Sequence, residues 1–266
     1  MLGNPTVIGV PGKFEIQLGG GKSSQLVLDS KISTGTTQIG TLSASQSVSS
    51  KSSTTFKEDQ VYIGISYTLN PRTQLFTYIG SGKDSGIMSK SRGIGVKISP
   101  DIESSSVRMG LILRAQQVTV NIDGPFRILP PYNSINDGTN IHSWSFYDGI
   151  NGAEEIKYTR LDAFFGASRS TGIFRPYGGF LLTDISGTDT IAVDDAATVY
   201  SRPVGGGVET STTQQVAFNA EADITGGKNF SGVLGLSINL DNDLSMTAEV
   251  QGGAQNTISF SGSIGF

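Results

Sequence analysis

Side chains of alternating polarity recur along almost the whole chain, and no other feature restricts its fold so severely. In "VYIGISYTL" (61–69), Val61, Ile63, Ile65, Tyr67 and Leu69 share one parity, while Tyr62, Gly64, Ser66 and Thr68 share the other. Successive strand residues point to opposite faces, so this period writes a strand with one apolar face. "RGIGVKIS", "SVRMGLILRAQQ", "VAFNAEADI", "LSMTAEVQG" and the terminal "ISFSGSIGF" repeat it. No stretch places apolar residues at i, i+3, i+4 and i+7 over three turns, and glycine and β-branched residues throughout disfavour helix. The chain is therefore expected to be all-β.

Two environments produce the same alternation. In a soluble sandwich the apolar face is the core; in a membrane barrel it meets lipid and the polar face lines the lumen. Only 16% of the residues are charged and 35 of the 266 are glycine, against about 25% charged in an ordinary globular domain. The polar faces carry Gly, Ser, Thr and scattered charge rather than Lys and Glu, as a crowded lumen requires. Twelve strands are expected: 13–28, 61–70, 73–82, 91–99, 105–117, 155–168, 172–183, 201–209, 214–225, 229–240, 244–253 and 256–266, within a range of ten to fourteen. Counted back from the last strand, every link on one side is short and every long link lies on the other, the asymmetry of outer-membrane barrels. Residues 1–12 are expected as a periplasmic segment, and 118–155 as a long external or inward-folded loop. Residues 1–266 form one domain. No run of about 18 apolar residues offers a helical span.

The C-terminal strand carries a more specific signal. Phe266 ends it, with Ile264 and Phe260 on the same face. It resembles the terminal strand of bacterial outer-membrane β-barrel proteins, porin-like ones included, although Ser261 stands where a glycine is common and Gly262 is displaced by one. The resemblance implies a single antiparallel transmembrane barrel in the outer membrane of a Gram-negative bacterium. It implies that Phe260, Ile264 and Phe266 form the signal read by the barrel-assembly machinery. It also implies partners: outer-membrane lipid and lipopolysaccharide, with a protein partner at the external loops. The function expected is a narrow passive channel, the alternative being a non-conducting barrel that anchors, adheres or scaffolds. By parity Lys97, Arg108, Arg114, Arg160, Asp162, Asn219, Glu221, Asp223 and Glu249 would line the pore.

Other chemistry finds little support. The chain has no Cys, which removes disulfides and thiolate metal sites. A net charge of −4 argues against nucleic acid. The single histidine, in "NIHSWSFYDG", has Trp144 two residues on, with Ser143 and Ser145 on the opposite face. It is thus read as a loop residue rather than the base of a lipid hydrolase. The carboxylates Asp137, Asp148, Glu154, Glu155, Asp184, Asp189, Asp194 and Asp195 match no calcium-loop pattern. "GGGKSS" lacks the first glycine of a phosphate loop, and "VGGGV" lacks the following helix. No enzyme activity, metal or cofactor is expected. "MLGNPTVIGVPG" has no basic region followed by an apolar one, so it is not read as a signal peptide.

Overall fold

The computed structural model describes residues 2–46, 50–84, 87–100, 106–126, 134–146, 150–240, 243–253 and 256–266. It is all-β, with thirteen strands: β1 (Phe14–Ile39), β2 (Leu42–Gln46), β3 (Ser50–Asn70), β4 (Thr73–Asp84), β5 (Ile87–Ile98), β6 (Val107–Phe126), β7 (Ser134–Asn136), β8 (Asn140–Phe146), β9 (Ile150–Arg169), β10 (Phe174–Pro203), β11 (Thr210–Asn239), β12 (Leu244–Gly253) and β13 (Thr257–Gly265). Ten of them close an antiparallel ring in the order β11-β12-β13-β1-β3-β4-β5-β6-β9-β10, with β10 back on β11. First and last strands pair from Glu15↔Gly265 to Ser23↔Thr257, and the Phe14 and Phe266 backbones exchange hydrogen bonds of 3.2 and 3.0 Å. Closure leaves the ten-strand ring without a free edge, the condition for a sheet surrounded by hydrocarbon.

Ten strands rather than twelve close the ring because two expected pairs are single strands. Residues 172–183 and 201–209 belong to β10 and the turn after it, and 214–225 and 229–240 are both β11. "GGK" at 226–228 is no turn: the register skips Gly226 between Ile185↔Gly227 and Ser186↔Thr225. That is a β-bulge, which lets the strand run on. The expected loop 118–155 is likewise mostly strand: β6 continues to Phe126, β9 starts at Ile150, and β7 and β8 lie between them. Residues 127–133 and 147–149, Asp148 among them, lie outside the described residues.

β10 and β11 are 30 residues each, about 100 Å of contour at roughly 3.3 Å per residue. A tilted strand needs only about 9–11 residues to cross a bilayer. The strands accordingly divide into a belt at the end bearing the termini and a distal extension. In the belt the large apolar side chains point outward and are exposed, among them Leu18, Val61, Ile79, Ile94, Leu113, Phe180, Leu234 and Phe260. Past the register row Gln117↔Thr159↔Ser186↔Thr225 the faces exchange character. Outward positions become Asn121, Asp123, Lys157, Thr190, Glu221 and Asp223, all exposed. Inward ones become Val118, Val120, Ile156, Tyr158, Ile185 and Ile224, which pack as one core. Ile191, Val193, Phe218 and Ala220 form a second, and Ile39, Ile135, Trp144, Ala197, Val199 and Val216 a third at the tip. β12 and β13 stop near the top of the belt, and beyond them β1 pairs directly with β11 from Asp29↔Thr225 to Ile39↔Val216. The tube narrows there.

Candidate functional site

The belt's interior gathers five of the residues that parity selects. On three neighbouring strands Arg114, Asp162 and Thr183 stand in register. Asp162 accepts hydrogen bonds from Arg114 Nε at 2.9 Å and again from Arg114 Nη2, from Arg160 Nε at 2.9 Å, and from Thr183 Oγ1 at 2.6 Å. Its side chain is wholly buried. Two guanidiniums on one carboxylate satisfy a charge that would otherwise be costly to bury. The Arg114 guanidinium lies 5.9 Å from the centre of the Tyr78 ring, within cation–π range.

Glycine in register with aromatics shapes this interior. Gly93 faces Tyr78, Gly95 faces Phe76 and Gly235 faces Tyr177. A Cβ on Gly93 or Gly235 would sit 2.3 and 2.2 Å from the facing tyrosine Cζ. The rings therefore lie flat across the neighbouring strand, and much of the glycine content is explained by packing.

The amino-terminal residues complete the filling. Residues 1–12 were expected outside the barrel, yet Leu2 to Thr6 are buried within it. Glu249 on β12 accepts hydrogen bonds from the backbone N–H of Leu2 at 3.1 Å and of Gly3 at 3.0 Å, and from Tyr177 Oη at 2.9 Å. Leu2 packs with Ile112, Phe164, Tyr177, Leu181 and Val233. Pro5 lies against Gly110 and Gly166, where a Cβ would meet it at 2.3 and 2.8 Å. Asn4 Oδ1 accepts from the Thr6 N–H and hydroxyl, both at 3.0 Å, and Thr6 Oγ1 bonds Ser168 Oγ. The segment enters because these strands present an apolar patch and one buried carboxylate needing donors. A polar cavity of about 110 Å³ persists beside it, lined by Gln17, Gln60, Gln116, Gln251, Lys97 and serines of β13.

Of the parity-selected residues, Lys97, Arg114, Arg160, Asp162 and Glu249 thus face the interior. Arg108 shares their parity but is exposed at the terminal rim. Glu221 and Asp223 are corrected: they are exposed, while Ala220, Ala222 and Ile224 beside them are buried. The same correction applies to Asn219. The expectation turned the apolar face of 214–225 to lipid, but this part of β11 belongs to the extension, where the apolar face is the inner one. Phe260 and Ile264 point outward on β13, and with Phe266 just past its end each is more than half exposed.

Two further sets lie in the extension. Burial, and then the adjacent Asp189 carboxyl, push Glu154 up to about 7; burial also raises Asp189. At the tip, His142 on β8 stands opposite Ser201 on β10. His142 Nδ1 lies 2.8 Å from Ser201 Oγ, and Nε2 lies 2.9 Å from Asp137 Oδ2. The His142 hydrogen bond, with the backbone N–H groups of Asn140 and Thr139, holds Asp137 down to about 2. Neither Ser143 nor Ser145, its neighbours on β8, meets the ring. Ser201 is 59 residues away, and only cross-strand register joins them.

No protein-family model matches the sequence, and neither does any curated protein. Among solved structures, the translocator domain of the autotransporter NalP from Neisseria meningitidis matches with a TM-score of 0.41 at 10% identity, over 100% of this chain and 91% of that one. Ail, the attachment invasion locus protein of Yersinia pestis, gives 0.27 at 8% identity over 97% and 100%. A FadL homologue of Pseudomonas aeruginosa gives 0.27 at 10% over 100% and 96%. All three are outer-membrane β-barrels; this chain's own pairing makes it a closed antiparallel barrel, and likenesses this distant carry no further argument.

Proposed function

We propose that this chain is an integral protein of the bacterial outer membrane whose barrel is a closed anchor and whose distal extension is displayed at the cell surface to meet a partner. The observation that carries the reading is the filled belt: the Asp162 network, the apolar cluster and residues 2–6 occupy the interior. Above it, clusters of apolar side chains fill much of the extension's interior. Lipid and lipopolysaccharide would surround the belt. The barrel-assembly machinery would read Phe260, Ile264 and Phe266.

A second reading, a narrow passive channel gated by the amino-terminal residues, is favoured by the polar cavity on the β13 side. Small barrels are filled by their own side chains and wide ones leave a channel; ten strands lie toward the small end. Planar-bilayer recording separates the two readings. The full chain is expected to be silent. Steady single-channel steps from the full chain would overturn the closed anchor, and steps appearing only after deletion of residues 2–12 would select the gated channel.

A further inference from the structure

The geometry points to a serine nucleophile at the distal tip: we infer that Ser201, His142 and Asp137 form an acyl-transfer centre acting on small carboxylic esters. Three observations meet there. The first is connectivity. Asp137 Oδ2, His142 Nε2, His142 Nδ1 and Ser201 Oγ make a continuous chain with links of 2.9 and 2.8 Å. Acid, base and hydroxyl in hydrogen-bond reach are the arrangement that activates a serine, whatever the fold or chain order.

The second is protonation. Asp137 is held ionised, at about 2, first by the His142 hydrogen bond and then by the backbone N–H of Asn140 and Thr139. An ionised carboxylate can only accept, so Nε2 carries the proton of the neutral imidazole and Nδ1 presents its lone pair. Nδ1 is the atom facing Ser201. The tautomer that catalysis needs is therefore imposed by the turn that holds Asp137, where the Asp137 side chain also accepts from Thr139 N at 2.8 Å and Asn140 N at 2.6 Å.

The third is placement. The three residues come from separate segments: the β7–β8 turn, β8 and the end of β10. The loop that follows Ser201 is fastened to the Asp137 turn by a 2.9 Å bond from Val204 N–H to the Thr139 carbonyl. Its Gly206 and Gly207 have φ of 86° and 152°; the Gly206 N–H closes the turn onto the Pro203 carbonyl at 3.1 Å, and Gly205 and Gly207 carry no side chain to cover their own N–H groups. Val204 and Val208 on that loop are exposed, the latter 85%, and offer apolar surface to an alkyl or acyl group. The side chains of His142 and Asp137 keep 13% and 23% exposure, so the centre is reachable from solvent.

The step balances with water as co-reactant. Ser201 Oγ bonds to the ester carbonyl carbon as its proton passes to His142 Nδ1. The carbon–alkoxy bond then breaks, and the imidazolium returns that proton to the departing alkoxide. Water attacks the acyl-serine by the same path, releasing the acid and restoring the hydroxyl. Asp137 is a positioning residue throughout.

A fluorophosphonate probe tests this on the full chain folded in detergent, with folding checked by heat-modifiable gel migration. Serine attack on phosphorus expels fluoride and leaves a covalent adduct located by peptide mass. One adduct on Ser201 is expected, absent in Ser201→Ala and formed about 100-fold more slowly in His142→Ala, the size of a lost general base. Asp137→Asn should slow labelling and change its pH profile, with Asp137→Glu restoring part of both. Folded protein that takes no label on Ser201, or labels as fast without His142, would overturn the inference and leave the three residues as a tie between β8 and β10.

Discussion

The belt and the distal extension share strands, alternation and closure, yet their faces are opposite. On β6, Met109 and Leu113 point outward and Arg114 inward; a few residues on, Asn121 and Asp123 point outward and Val118 and Val120 inward. Strand propensity cannot account for this, because the same backbone continues through the change. We read the difference as one of medium. Where hydrocarbon lies outside, apolar groups face it and polar groups must satisfy one another inside. Where water lies outside, the ordinary rule returns and an apolar core forms. On that reading the row Gln117↔Thr159↔Ser186↔Thr225 is where one medium would end.

Four predictions break or sharpen this contrast. Asp162→Ala has the largest expected effect, since it strands two guanidiniums in the belt interior; a cost of about 3–5 kcal/mol is expected in urea unfolding from lipid vesicles. Next comes a matched pair on the outer face of β6. Leu113→Arg should cost about 2–4 kcal/mol and Asn121→Arg near zero, both read from the same titration; equal costs would erase the boundary.

The third concerns the extension alone. Glu154 sits at about 7 and Asp189 above its ordinary range, so the folded state holds protons that the unfolded chain has released. The stability this pair gives is full below about pH 4 and is lost as pH rises toward 7. With Glu154 partly exposed, screening leaves an effect on the order of 1 kcal/mol. Amide exchange in the distal halves of β9 and β10 should quicken over that interval, and Glu154→Gln should flatten the trend. The smallest effect belongs to Lys13, whose 3.0 Å bridge to Asp243 is exposed at both ends. Lys13→Ala should cost roughly 0.5 kcal/mol or less, detectable only as a small shift in the same unfolding curve.

Much of the belt was legible because alternation and short turns are local. Strands such as 61–70 and 73–82, the closure at Phe266 and the interior placing of Arg114, Asp162 and Glu249 all follow from parity. The extension was harder to read. Its strands alternate equally well, but nothing local says that the medium outside has changed, so 184–200 and much of 118–155 passed for loops. The same exchange of faces turned Glu221 and Asp223 outward. Burial of residues 2–6 was out of reach, because it depends on donors meeting Glu249 nearly 250 residues away. Ser201 was likewise hidden: its partner lies across a sheet.

The central claim concerns which medium touches which outward side chain, and the absence of Cys lets it be tested directly. Single cysteines at Leu113, Leu234 and Phe260 in the belt, and at Asn121, Thr190 and Glu221 in the extension, would carry a fluorophore in vesicles containing brominated acyl chains. Strong quenching at the first three and none at the last three is expected. Equal quenching at all six, or none at Leu113 and Leu234, would contradict the account.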